Sequence, residues 1–87
     1  MRQYAKDLTM EWRDRIVCNP DILAGKPIVK GTRISVELLL GWLGTGRTID
    51  DVLESYPHLT REDVLAALSY ACEYMREERY VRLTQAA

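Results

Sequence analysis

The sequence predicts a mainly α-helical single domain, in which a short N-terminal β-ribbon is followed by a three-helix, helix-turn-helix bundle. Three observations predict it. The chain has 87 residues, 47% of them hydrophobic, enough for one core and not for two, and too apolar for a disordered chain. From residue 35 onward, apolar side chains recur at helical spacing in three segments, each opened by a hydroxyl residue, Ser35, Thr48 or Thr60. Before residue 35, β-prone clusters alternate with turn residues. The boundaries expected are an arm at residues 1–14, a ribbon at 15–34, the three-helix domain at 35–80 and a tail at 81–87.

Residues 1–12 show no clear period and fit either an arm or a short helix. Arg15, Ile16, Val17 and Cys18 are β-prone and stop at Asn19-Pro20-Asp21, a strong turn signal. Ala24-Gly25-Lys26-Pro27 marks a second turn. Residues 28–34 then read as two very short strands folding back around Gly31, since glycine tolerates the positive φ of a tight turn. A ribbon of this size is not stable alone in water. It must lie on the helices, pair with a second copy, or both.

Ser35 is placed to cap the first helix, with Glu37 near its positive end and Val36, Leu39, Leu40 and Leu43 on one side. Gly44-Thr45-Gly46 ends it. Thr48 opens the second helix with Asp51 three residues on, the shorter-acid form of a capping box. Ile49, Val52, Leu53 and Tyr56 form its stripe, and Pro57 closes it. Thr60 and Asp63 repeat the capping arrangement. Val64, Leu65, Leu68, Ala71, Cys72 and Met75 then give a wide apolar face to a helix expected to reach about Tyr80. Its small residues, Ala66, Ala67, Ser69 and Ala71, permit close approach of a neighbour.

Composition narrows the function classes. Net charge is −1, but residues 26–47 carry a net +3 and residues 48–80 a net −5, an asymmetry that speaks about partners and not about fold. No apolar run approaches the roughly 20 residues of a membrane span. Residues 1–7 lack the apolar core of a signal peptide, so a cytoplasmic location is the expectation. Cys18 and Cys72 lie far apart in sequence and leave two readings open, a disulfide or two small buried hydrophobes in a reducing compartment, of which the second is the expectation. One histidine and no paired cysteine spacing provide too few good ligands for structural zinc. His58 sits in an interhelical turn with no nucleophile or acid placed around it by a catalytic motif. No catalytic, cofactor-binding or metal site is expected, nor a small-molecule substrate, and the chain does not read as an enzyme.

A cap, a short amphipathic helix, a tight turn, a second cap and a longer helix make a helix-turn-helix pattern. A plain αα-hairpin has the same pattern. A recognition helix offers its first residues to DNA, and here these are Thr60, Arg61, Glu62 and Asp63, one cation beside two acids. The ribbon's Lys26, Lys30 and Arg33 are better suited to phosphate, although such residues also guard solvated sheet edges. Any DNA contact is therefore expected at Lys26, Lys30, Arg33, Thr60 and Arg61. Self-association as a homodimer is expected through Ile28, Val29, Gly31, Thr32 and Ile34, because the ribbon is too short to stand alone and symmetric dimers are the commonest closed assembly. Trp42 reads as core, and Trp12 as a residue that packs the arm onto the body.

Residues 16–80 resemble a small bacterial and archaeal family catalogued as domain of unknown function 433. The resemblance rests on Asn19-Pro20-Asp21-Ile22-Leu23, on the run from Gly25-Lys26-Pro27-Ile28-Val29-Lys30 through Gly31-Thr32-Arg33-Ile34-Ser35-Val36, on Tyr56-Pro57-His58-Leu59-Thr60, and on Ala66-Ala67-Leu68. It implies a homeodomain-like three-helix fold preceded by a β-ribbon. It also implies an antitoxin role, in which the chain neutralises a PIN-like ribonuclease-type toxin and binds its own operator as a dimer. Two function classes remain open at this point. One is a DNA-binding, antitoxin-like regulator, favoured by the basic ribbon. The other is a protein-interaction module that keeps the helix-turn-helix fold without DNA binding, favoured by the acidic C-terminal half.

Overall fold

A computed structural model describes residues 10–76. The expectations for residues 1–9, for the helix beyond Arg76 and for the tail lie outside the described residues. The element order is β1 (Ile16–Cys18), a 3-10 turn (Leu23–Gly25), β2 (Pro27–Val29), α1 (Val36–Gly44), α2 (Ile49–Ser55) and α3 (Arg61–Arg76). The chain is mainly helical, with one two-stranded antiparallel sheet ahead of three helices.

The sheet is paired differently from the sequence reading. β1 pairs with β2, matching Ile16 with Val29, Val17 with Ile28 and Cys18 with Pro27. The leg after Gly31 makes only a single bridge, Ile28 to Ser35, and one bond from the Val29 N–H to the Ile34 carbonyl at 2.9 Å. Thr32 is the reason. Its hydroxyl donates to the Val29 carbonyl at 2.8 Å and accepts the Ile34 N–H at 2.9 Å, which tightens the turn, and Ser35 then begins the helix at once. Gly31 sits at φ +82°, the conformation the turn requires of it.

Each helix starts where its hydroxyl residue predicts. The Ser35 side chain accepts the Leu38 N–H at 3.0 Å. Thr48 and Asp51 complete a reciprocal capping box. Thr60 and Asp63 do the same, at 2.9 and 3.2 Å. Each box satisfies amides that the first helical turn leaves without partners. Gly46, at φ +99°, returns its N–H to the Leu43 carbonyl at 3.0 Å and ends α1.

The core lies between the sheet and the helices. Ile16 and Val29 come from the sheet, Ile34 and Val36 from the approach to α1, Leu39 from α1, Val52 from α2, Leu59 from the interhelical turn, and Val64, Ala66 and Ala67 from α3. The ribbon thus lies on the helices. Ile28, Val29 and Ile34, expected at a dimer interface, are 1, 3 and 8% exposed and are enclosed by the chain's own core. Gly31 is exposed and Thr32 half-buried.

α3 departs most from its expected packing. Of the wide apolar face seen in the sequence, only Val64 is fully buried, while Leu68 and Met75 are 36 and 55% exposed. The helix is gripped from two sides. α1 and α2 close on it across Val64 and Ala67, and the arm closes on it from the other flank. There the Met10 N–H donates to the Ser69 hydroxyl at 3.0 Å, and the Trp12 indole N–H donates to Glu73 at 2.9 Å. The Trp12 ring meets Tyr70 edge-on at 4.8 Å. The alanines permit this double approach, and the buried sector of α3 is rotated toward them.

Cys18 is exposed, contrary to its reading as a buried hydrophobe, and Cys72 is half-buried; both are free thiols. A three-residue strand in a two-stranded sheet leaves its end uncovered. Trp42 is half-buried, with Tyr56 at 5.4 Å and the Arg47 guanidinium over its ring at 4.7 Å.

Candidate interaction surfaces

Five cations and polar groups were candidates for nucleic-acid contact, and the structure divides them. Lys26, Lys30 and Arg33 flank β2 and its turn. Thr60 and Arg61 open α3. No hydrogen bond or ion pair among the described residues joins the two groups. Lys26 is engaged by Glu37, with Nζ 2.9 Å from Oε1. Both groups are well exposed, so the pair adds little stability, but it offsets one of the ribbon's three positive charges. Lys30 and Arg33 are exposed and form no ion pair among the described residues. Arg61 is exposed beside Glu62, and its neighbour Asp63 is bonded to Arg15 at 3.0 Å. Thr60 spends its hydroxyl on the helix cap.

The acidic groups gather on α2 and the ends of α3. Asp50, Asp51 and Glu54 are exposed along α2. The Thr48 backbone N–H, helped by the Thr48 hydroxyl, holds the Asp51 carboxyl below its ordinary range.

Two apolar surfaces went unrecognised in the sequence. The first is a groove of about 390 Å³ between α1 and α3, walled by Pro27, Val36, Leu40, Tyr70, Tyr74 and Met75, with Glu37 at its rim. Tyr74 is 56% exposed there and stacks on Tyr70 at 6.2 Å. Burial, with Cys18 and Tyr74 adding to it, pushes the Tyr70 phenol above its ordinary range.

The second is the outward face of α3. Leu65, Leu68, Cys72 and Met75 follow one another at spacings of three, four and three residues. At 3.6 residues per turn they share roughly 80° of arc. None of the four belongs to the core cluster or to the side chains packed on it. The signal for this face was present in that spacing, but the same spacing also describes a core-facing stripe, and only the packing of the arm tells the two apart.

The family described as Protein of unknown function (DUF433) matches residues 16–71, which span the sheet, all of α1 and α2 and most of α3. The chain belongs to the DUF433 family. It is similar to the uncharacterized protein y4eO of Sinorhizobium fredii (strain NBRC 101917 / NGR234), with 36% identity over 59 residues, covering 68% of this chain and 27% of that protein. The chain therefore spans about a quarter of the length of that curated relative. Among solved structures it is similar to the crystal structure of a DUF433 member protein from Anabaena variabilis ATCC 29413, at a TM-score of 0.66 and 27% identity. That match covers 99% of this chain and 78% of the other. The surfaces of this DUF433 domain are thus carried on a shared fold, and their chemistry must be read from its own side chains.

Among the described residues no group of three or more His, Cys, Asp or Glu side chains is placed to hold a metal ion. No helix among them is long and apolar enough to cross a membrane.

Proposed function

We propose that this chain is an antitoxin-like regulator that acts as a protein-interaction module, silencing a PIN-like ribonuclease-type toxin by direct contact. The observation that carries the reading is that α3 presents protein-contact chemistry on two surfaces, the groove against α1 and its own outward face. In a DNA-reading helix-turn-helix this face would enter the major groove. Here it offers Leu65, Leu68, Cys72 and Met75, with Arg61 and Glu62 at one end. Thymine methyls accept apolar contact, but a face whose one cation, Arg61, stands beside the acid Glu62 makes few of the hydrogen bonds that distinguish base pairs. Exposed apolar faces rimmed by charge are the mark of protein contact.

The toxin's seat in this reading is the groove between α1 and α3. Its aromatic wall, Tyr70 and Tyr74, has the composition of an interface hot spot. The net −5 of residues 48–80 would speed encounter with the basic, RNA-facing surface of a ribonuclease. The test is titration of a purified PIN-like ribonuclease, encoded beside this chain, with the chain and with Tyr74→Glu. Tyr74 is exposed enough to be replaced without unfolding. The expected result is a stoichiometric complex with suppressed RNA cleavage, weakened at least roughly tenfold by Tyr74→Glu. No complex, or one indifferent to the substitution, would overturn the assignment.

Operator binding is a second reading, favoured by the turn around Gly31, where Lys30 and Arg33 stand exposed. In that case Lys30→Ala should weaken binding to every duplex alike and flatten the salt slope by about one unit.

A further inference from the structure

We infer that the outward face of α3 is a homodimer seam, occupied by α3 of a second copy running antiparallel. The inference rests on the reading of that face as a protein-contact surface, and it names the occupant. Leu65, Leu68, Cys72 and Met75 occupy the a, d, a and d positions of a heptad pattern. Such a stripe, about 15 Å long on a 16-residue helix, has the width of a helix-pairing seam, and the chain's own core takes up none of it.

Self-complementarity selects the antiparallel copy. With a two-fold axis at the level of Tyr70, Leu65 faces Met75 of the second copy and Leu68 faces its Cys72. All four layers are then filled, each by a large residue against a medium or flexible one. Charges at the ends agree with this register. Glu62 stands one turn-position off the seam at the start of the helix and Arg76 at the end. Both are exposed, and neither forms an ion pair among the described residues. In the antiparallel arrangement Glu62 of each copy meets Arg76 of the other. In a parallel arrangement the two would stand at opposite ends of the seam and could not meet. The two-fold makes the contact isologous and closed.

The seam leaves the rest of the surface free. The arm lies on the flank of Ser69 and Glu73. The groove lies on the opposite flank and shares only Met75 with the seam. A dimer built this way therefore presents two toxin seats. The ribbon, whose Ile28, Val29 and Ile34 are committed to the core, takes no part in it. Two short heptads bury less than the roughly 1,200 Å² of a standard interface, so dissociation at micromolar concentration is expected.

The test is sedimentation equilibrium of the full chain over a wide concentration range, on four proteins: the parent, Leu68→Glu, Glu62→Arg, and Glu62→Arg combined with Arg76→Glu. The parent should be a reversible dimer. Leu68→Glu acts twice in a symmetric dimer and should weaken it about 100-fold, with the helical circular dichroism of the parent. Glu62→Arg should weaken it roughly three- to tenfold, and the double charge exchange should restore it. A monomeric parent at millimolar concentration overturns the inference. So does a dimer that survives Leu68→Glu, or a double exchange that weakens the dimer further. A monomer that still binds the ribonuclease, and loses it on Leu68→Glu, leaves the face a protein-contact surface and gives it to the toxin. A monomer that binds no protein at all removes both readings.

Discussion

Asp63→Ala should unfasten the ribbon from the helices, because one carboxylate serves both. Its Oδ2 accepts the Thr60 N–H at 2.9 Å, closing the capping box of α3. Its Oδ1 accepts Arg15 Nη1 at 3.0 Å, tying the residue before β1 to the same turn. The Asp63 side chain is 14% exposed and that of Arg15 39%. Loss of the capping half costs about 1 kcal/mol. The ion pair, discounted for the solvent that reaches Arg15, contributes about 0.5 kcal/mol. A total near 1.5 kcal/mol corresponds to a fall in Tm of about 6–12 °C for a domain of this size. Asp63→Asn keeps an acceptor for Thr60 and loses the ion pair, so it should cost only the smaller part. A double-mutant cycle with Arg15→Ala should return a coupling near 0.5 kcal/mol. That coupling should shrink in 1 M salt, where the screening length falls to about 3 Å. The assay is thermal unfolding followed by far-ultraviolet circular dichroism. An Asp63→Ala melting point within about 2 °C of the parent would refute the double role.

Leu39 is fully buried at the centre of the core, so Leu39→Ala should cost about 3 kcal/mol, read as a lower urea midpoint with an unchanged m-value. Asp51 has a lowered pKa in the folded chain. Its contribution is present above the unfolded value and is lost as pH falls through the folded one. Acid unfolding of Asp51→Asn below about pH 4 should therefore be shallower than that of the parent. Ala24 sits at φ +57°, left-handed backbone that costs a side-chain-bearing residue energy glycine does not spend. Ala24→Gly should be neutral or stabilising by up to about 1 kcal/mol, measured by chemical unfolding, whereas Ala24→Val should destabilise.

The helices were legible because their ends are written in short-range chemistry. Ser35, Thr48 with Asp51, and Thr60 with Asp63 each settle within four residues, and no distant contact overrides them. The ribbon was only half legible. Ile16–Cys18 and Pro27–Val29 carry β-prone residues, yet which strand pairs with which depends on the turn between them. That turn holds Leu23 and Ala24 at φ +49° and +57°, a conformation their side chains do not advertise. The outward face of α3 was least legible. Leu65 and Val64 are adjacent and equally apolar, and only one is buried. The choice between them is made by the packing of α1 and α2 on one side of α3 and of Met10 and Trp12 on its other flank, where their partners Ser69 and Glu73 lie about 60 residues away in sequence. Of the residues expected to touch DNA, the sequence showed the charges but not that Glu37 engages Lys26 or that Thr60 is consumed by its cap.

The docking of the arm on α3 also sets a timetable for the chain during synthesis. Trp12 and its partner Glu73 are separated by 61 positions, so at about 5–20 residues per second the indole waits roughly 3–12 s for its carboxylate to be made. Through that interval Ile16, Val29 and Leu39 have no α3 to cover them, and the three-residue strands cannot shelter them unaided. Until α3 emerges, these side chains are open to solvent, and the packing that buries them can be completed only once α3 is made.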